Sequence, residues 1–175
     1  KNFTFYPRYN CIMRALRDPI LLVIILSLVL GSAILNRGHD WGDDFASYIM
    51  QAKSIWTGTT QEFIEHNSFT INESSIQIGP VAYPWGYPLI LVPAYALKGL
   101  SPLALKIPGV FLFLGFLVCL FLLTKDRLTR TESLLLVSLF AFNPLLLRFL
   151  NQIVSDIPFL FFSTFSLWLM VKEDR

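Results

Sequence analysis

Two adjacent carboxylates, Asp43 and Asp44, are the side chains of this sequence best suited to chemistry. Neighbouring carboxylates can act as a general base or hold a divalent cation, because both tasks need anionic oxygens. A structural role is also open, since acidic residues at the start of a helix complement its dipole. Which of these applies depends on the elements that position the pair.

The segment after the carboxylates has the spacing of an amphipathic helix. Apolar residues recur every three or four positions and form one stripe, made of Phe45, Tyr48, Ile49, Ala52, Ile55 and Trp56. Asp43 or Asp44 is a natural N-cap and Gly58 a natural stop, so the pattern predicts a helix over residues 44–57. Beside a membrane, such a helix would lie in the interface with its aromatic face toward lipid.

A proline-rich aromatic element follows. The chain from Gly79 to Pro88 reads GPVAYPWGYP, and its prolines favour a rigid, extended backbone. The apolar run behind it is broken by Pro93 and is too short to span a bilayer, which predicts an interfacial helix over residues 86–98. The tyrosines and tryptophan of this element also fit an aromatic belt at a membrane surface.

The composition places these elements in an integral membrane protein. Of 175 residues, 54% are hydrophobic and 15% charged, and the mean hydropathy is +0.58; a soluble domain usually carries about a quarter charged residues. A net charge of +2 without a basic stripe gives no reason to expect a nucleic-acid partner. The histidines, His39 and His66, and the cysteines, Cys11 and Cys119, lack metal-ligand spacing, so we expect no zinc site and two unpaired thiols.

Four apolar runs predict an all-α fold with about four transmembrane helices. They cover residues 19–35, 107–123, 134–150 and 157–171. Pro108 would sit in the first turn of the second helix, and Pro144 predicts a kink or break in the third.

Basic residues set the orientation. They concentrate in residues 1–18, in the connection 124–133 and after residue 171, which are on one side if the helices alternate. By the positive-inside rule that side is cytoplasmic. The loop 36–106 and the turn 151–156 therefore face outward, and a loop this long is more than a connector.

The order of these features resembles the membrane glycosyltransferases of the family C fold, particularly bacterial relatives of the dolichyl-phosphate-mannose protein mannosyltransferases. An Asp-x-x-x-Tyr pattern is followed by a small and an aliphatic residue and a glycine, at Asp44, Tyr48, Ala52, Ile55 and Gly58. Three further motifs occur in the family's order: Tyr83-Pro-Trp-Gly-Tyr-Pro88, Leu103-Ala-Leu-Lys106 and Ser155-Asp-Ile-Pro158. Trp85 replaces a proline of the family pattern, and Lys106 an arginine.

The resemblance implies inverting transfer of a sugar from a polyprenyl-phosphate donor to an acceptor on the outer face. Asp44 would be the general base, selected over Asp43 by its spacing to Tyr48, and Asp43 would assist it or bind a divalent cation, the one cofactor the resemblance allows.

Substrate-binding roles would fall to Tyr48, Tyr83, Tyr87, Lys106 and Asp156, the lysine balancing the donor phosphate. The alternatives are an interfacial lysine at Lys106 and a helix cap at Asp156.

Family members usually have many more spans, so we expect this chain to be the N-terminal part of a longer transferase in a bacterial inner membrane, with both termini cytoplasmic and the long loop periplasmic. Its partners would be the polyprenyl-phosphate donor, membrane lipid and other membrane subunits. The alternative is a glycosyltransferase-like accessory or structural subunit of a membrane complex, without catalysis.

Overall fold

A computed structural model describes residues 19–39, 44–76 and 79–173. Within these residues every element of regular secondary structure is a helix. Its eight helices are α1 (Pro19–Ala33), α2 (Phe45–Thr57), α3 (Thr60–Asn72), α4 (Gly86–Lys98), α5 (Pro102–Thr124), α6 (Arg130–Ala141), α7 (Pro144–Leu150) and α8 (Asp156–Glu173). The predicted cytoplasmic segment 1–18 and Asp43 lie outside the described residues.

The two helices predicted in the long loop begin and end close to the expected residues. The end of α2 is set by Gly58, whose φ of 72° lets its N–H bond back to the carbonyls of Ile55 and Ser54. The α4 helix covers Gly86–Lys98, the range predicted from its apolar run. The loop also contains α3, which was not predicted and none of whose residues is buried.

The second predicted membrane helix begins five residues earlier than expected. Ser101 is the N-cap and Pro102 occupies the first turn, so α5 starts at Pro102 and runs 23 residues. Pro108 therefore lies inside the helix rather than in its first turn, and Lys106 lies in the helix rather than before it.

The third predicted helix is two helices. It stops at Ala141, and Asn143 caps a new helix by accepting bonds from the N–H groups of Leu145 (2.9 Å) and Leu146 (3.3 Å). Pro144 follows as the first residue of α7, and the axes of α6 and α7 differ by 53°.

Only α5 is a clear single candidate for a membrane span among the described residues; α6 and α7 make a second if the bent pair counts as one. The α1 helix is apolar, but its 15 residues are fewer than a membrane span usually needs. In α8 the charges stand at the two ends, at Asp156, Lys172 and Glu173, around an apolar centre.

Two hydrophobic clusters organise the packing. The first joins α5 to α6, α7 and α8 around Phe113, Leu117 and Val137. The two helices α5 and α8 approach closely at Gly115, where an added Cβ would come within 2.8 Å of the Phe161 ring. The second cluster joins α2, α4 and the start of α5 around Ala52, Leu91 and Leu105, and it holds the candidate site.

Candidate functional site in the outer loop

Asp44 stands at the N-cap position of α2, yet its carboxylate makes no capping bond. It accepts a short hydrogen bond from the Tyr83 hydroxyl instead. This bond, with burial and the negative charge of Asp44, raises the pKa of Tyr83 to about 12, so the phenol remains a protonated donor at neutral pH. The exposed carboxylate is therefore oriented by Tyr83 rather than used to cap its own helix.

Tyr48 connects this pair to the start of α8. Its ring contacts those of Tyr83 and Tyr87, with centroids 5.0 and 5.1 Å apart. Its hydroxyl donates to the Ser155 Oγ at 3.1 Å. Tyr87 is buried, which raises the pKa of its hydroxyl. The three tyrosines predicted to bind substrate thus form one aromatic group beside Asp44.

Gln51 fixes the backbone of Tyr83. Its side-chain amide donates to the Tyr83 carbonyl at 2.8 Å and its Oε1 accepts from the Tyr83 N–H at 3.0 Å. The glutamine is fully buried, and this two-point contact satisfies polar groups that would otherwise be costly there. It holds the proline-rich segment against α2 and sets the position of the Tyr83 hydroxyl.

An apolar groove runs beside the tyrosines. It has a volume of about 410 Å³ and lies between α4 and the N-terminal half of α8. The walls include Tyr48, Tyr87, Ile90, Ser155 and Phe159. Tyr48 lines this groove and contacts Tyr83, which is bonded to Asp44. The polar pair Asp44 and Tyr83 therefore lies near a groove lined mainly by aliphatic and aromatic side chains.

Lys106 lies near the start of α5 and is buried, with 1% of its surface exposed. Its ammonium donates to the Asn36 carbonyl (3.1 Å), the Asn36 Oδ1 (3.2 Å), the Asn151 Oδ1 (2.9 Å) and, more closely, the Gly38 carbonyl. These oxygens come from the chain after α1 and the chain after α7. The ammonium is thus used inside the fold, which differs from the open, phosphate-binding or interfacial lysine that the sequence led us to expect.

Asp156 is the first residue of α8 and is exposed. Its neighbour Ser155 makes the contact with Tyr48. A carboxylate in the first turn complements the helix dipole, which fits the helix-capping alternative for this residue. Its substrate-binding role stays a prediction.

His39 was not predicted to belong to the site. Its Nε2 accepts the Ile153 N–H at 2.8 Å, and its ring stacks on Phe45 at 3.8 Å. Gln51, Asn151 and Ser155 were likewise missed. These residues act through contacts to chain segments far away in the sequence. Only Ser155 carried a local signal, as the first residue of the Ser155-Asp-Ile-Pro158 motif.

No cluster of three or more His, Cys, Asp or Glu side chains suited to a metal occurs in the described part of the chain. The predicted cation role of Asp43 falls on a residue outside that part.

No protein-family model, curated protein or solved structure matches this chain.

Proposed function

We propose that this chain is an integral membrane protein and a membrane part of a glycosyltransferase that transfers a sugar from a polyprenyl-phosphate donor to an acceptor on the outer face, with its outer loop supplying the general base. The observation that carries the proposal is the Asp44 carboxylate, exposed and oriented by Tyr83, next to an apolar groove. A polar reacting centre beside an apolar groove suits a substrate whose head is a sugar phosphate and whose tail is an isoprenoid chain.

The membrane part of the proposal is supported by apolar side chains that face outward on the predicted spans. Exposed examples are Leu22, Phe111, Leu135, Leu139 and Phe159. A soluble protein rarely exposes such surfaces over several helices. We expect the chain to resist alkaline carbonate extraction. In a variant with Cys11 and Cys119 replaced by Ser, a cysteine introduced at Glu65 should be labelled from outside and one at Arg127 only after permeabilisation.

The proposed reaction is an inverting substitution. An acceptor hydroxyl oxygen attacks the anomeric carbon, the bond from that carbon to the phosphate oxygen breaks, and polyprenyl phosphate leaves with the bonding electron pair. Asp44 takes the proton from the acceptor hydroxyl as the new glycosidic bond forms. Tyr83 donates to Oδ1 of Asp44 and leaves the second carboxylate oxygen for this proton.

The test is sugar transfer by the full gene product in proteoliposomes. Undecaprenyl phosphate carrying radiolabelled mannose or glucose serves as the donor, and released lipid phosphate and labelled product are measured. Asp44→Asn should lower the transfer rate by about 10²-fold or more, because general-base catalysis typically contributes 10²–10⁴-fold. Glu73→Gln, a neutralised carboxylate at the end of α3, is the matched control and should transfer normally. Equal transfer by wild type and Asp44→Asn would rule out the proposed base.

A second function is favoured by Lys106. Its ammonium is bonded to oxygens within the fold, which supports a structural role for this lysine. A non-catalytic subunit would need that structure and the exposed apolar helix faces, but no reacting carboxylate. Copurification with a fixed membrane partner, together with full function of Asp44→Asn in that complex, would establish this role.

A further inference from the structure

A second groove in the outer loop is lined in a different way. The two helices α2 and α3 are joined by Gly58 and Thr59 and enclose a cleft of about 480 Å³. Helices in such a hairpin usually close on apolar side chains. Here the facing positions are largely polar, and α3 has no buried residue at all.

The hairpin is held open from the side. The Asn67 side-chain amide donates to the Val81 carbonyl at 2.9 Å, and the Phe63 ring meets the edge of Trp85 at a centroid distance of 6.3 Å. These contacts attach α3 to the proline-rich segment, so the position of α3 does not depend on collapse against α2. The cleft is therefore part of the fold and not a gap left by loose packing.

The groups that line the cleft can bind a polyhydroxylated molecule. Lys53 supplies N–H donors, Glu62 supplies acceptor oxygens, and His66 supplies a ring with one of each in its neutral form. Phe63 adds an aromatic wall, which suits the C–H face of a sugar ring. The side chains of Lys53, Glu62 and His66 make no hydrogen bond to another described residue, so their polar groups are available to a ligand.

Charge narrows the ligand class. Lys53 and Glu62 have opposite charges, so the cleft has no strong preference for an anion or a cation. A neutral ligand that both donates and accepts hydrogen bonds fits this lining. From these features we propose that the cleft between α2 and α3 binds a neutral saccharide.

This site is separate from the candidate catalytic carboxylate. Lys53 follows Asp44 by nine residues, which is two and a half helical turns, so it faces the opposite side of α2. The cleft would hold a glycan of the outer surface near the protein without placing it at Asp44. Saccharide binding by the cleft can therefore be tested independently of the proposed transferase function.

The experiment is saturation-transfer NMR on the full chain in nanodiscs, with maltotriose and triacetylchitotriose as neutral probes. Saturation should pass to at least one of them. Glu62→Gln should weaken its binding about tenfold, because hydrogen bonds to charged groups contribute more than neutral ones. His66→Ala should weaken binding as well.

Glu65→Gln is the matched control, since Glu65 lies on the same helix, does not line the cleft and is bonded to Gln61. It should bind as wild type does. Three results would overturn the proposal: no transfer to either neutral probe, equal binding by Glu62→Gln and wild type, or binding restricted to a trisaccharide of glucuronic acid. Asp44→Asn should keep saccharide binding even where it loses sugar transfer, which separates the two sites.

Discussion

Replacing Lys106 with methionine tests whether this residue stabilises the fold or binds a phosphate. Methionine keeps a long apolar chain and removes the ammonium that joins three parts of the fold. The bonds at stake include those to the oxygens of Asn36, Gly38 and Asn151. The prediction is that Lys106→Met destabilises the protein.

The magnitude follows from opposing terms. The three N–H groups of the ammonium share four acceptor oxygens, and at about 1.5–3 kcal/mol for each N–H group they would total about 4.5–9 kcal/mol. Removing the ammonium also returns its desolvation cost of several kcal/mol. Asn36 and Gly38 are exposed, so their oxygens regain water, whereas Asn151 is half-buried and regains less. We expect a net loss of about 2–4 kcal/mol in the free energy of unfolding.

The assay is reversible unfolding in mixed micelles, followed by tryptophan fluorescence, with undecaprenyl phosphate binding measured on the same variants. Lys98→Met is the matched control, because Lys98 is exposed in the last turn of α4 and should cost less than about 1 kcal/mol. A double-mutant cycle with Asn151→Ala should give a coupling energy of about 1–2 kcal/mol, since the two side chains are in direct contact.

The contrary result is equally clear. If Lys106→Met unfolds like wild type, within about 0.5 kcal/mol, and loses affinity for the lipid phosphate, the buried arrangement is not the one that matters for function. The reasoning from the carbonyl contacts would then be wrong, and the role implied by the family resemblance would be correct.

Three further substitutions probe the packing and the site. Gly115→Ala should cost about 1–3 kcal/mol in the unfolding assay because its Cβ meets an aromatic ring of α8, while Gly109→Ala, with open space around it, should be neutral or stabilising; equal effects would contradict the close contact. Gln51→Leu should cost about 2–4 kcal/mol because it leaves both backbone polar groups of Tyr83 without their partner, whereas Gln61→Leu on exposed α3 should cost under about 0.5 kcal/mol. The raised pKa of Tyr83 means that its contribution to stability is complete below pH 10 and is lost as pH rises toward 12. In Tyr83→Phe the tyrosinate absorbance at 295 nm should lose a transition near pH 12. Loss of a transition near the ordinary tyrosine value of about 10 instead would exclude that bond.

The sequence predicted the local elements of the outer loop well because their ends carry specific chemistry. Gly58 can adopt the positive φ that ends α2, and Pro144 forces a break in the third apolar run. The start of α5 was misplaced because apolarity was used to find it, although Ser101 and Pro102 carry the signals of a helix start. The α3 helix was missed because only four of its 13 residues are apolar, which gives a weaker periodic signal than that of α2.

Long-range contacts set the limit of what could be predicted for the site. The motif spacing brought Asp44, Tyr48 and Tyr83 together as candidates, and these side chains are indeed neighbours. Nothing in the local sequence indicates that Gln51 bonds to a backbone 32 residues away or that Lys106 reaches Asn36 across 70. Such contacts depend on how helices pack, which periodicity and capping do not determine.

The turn after α7 places Ser155 in the lining of the apolar groove and is not a simple connection between helices. Three of its residues are bonded to separate segments: Asn151 to Lys106, Ile153 to His39 and Ser155 to Tyr48. The bond from Tyr48 to Ser155 alone would hold the start of α8 to α2 only weakly. The bonds of Asn151 and Ile153 fix the same turn at two further points. A substrate in the apolar groove would therefore meet Tyr48 and Ser155 already held together, which lowers the ordering cost of binding.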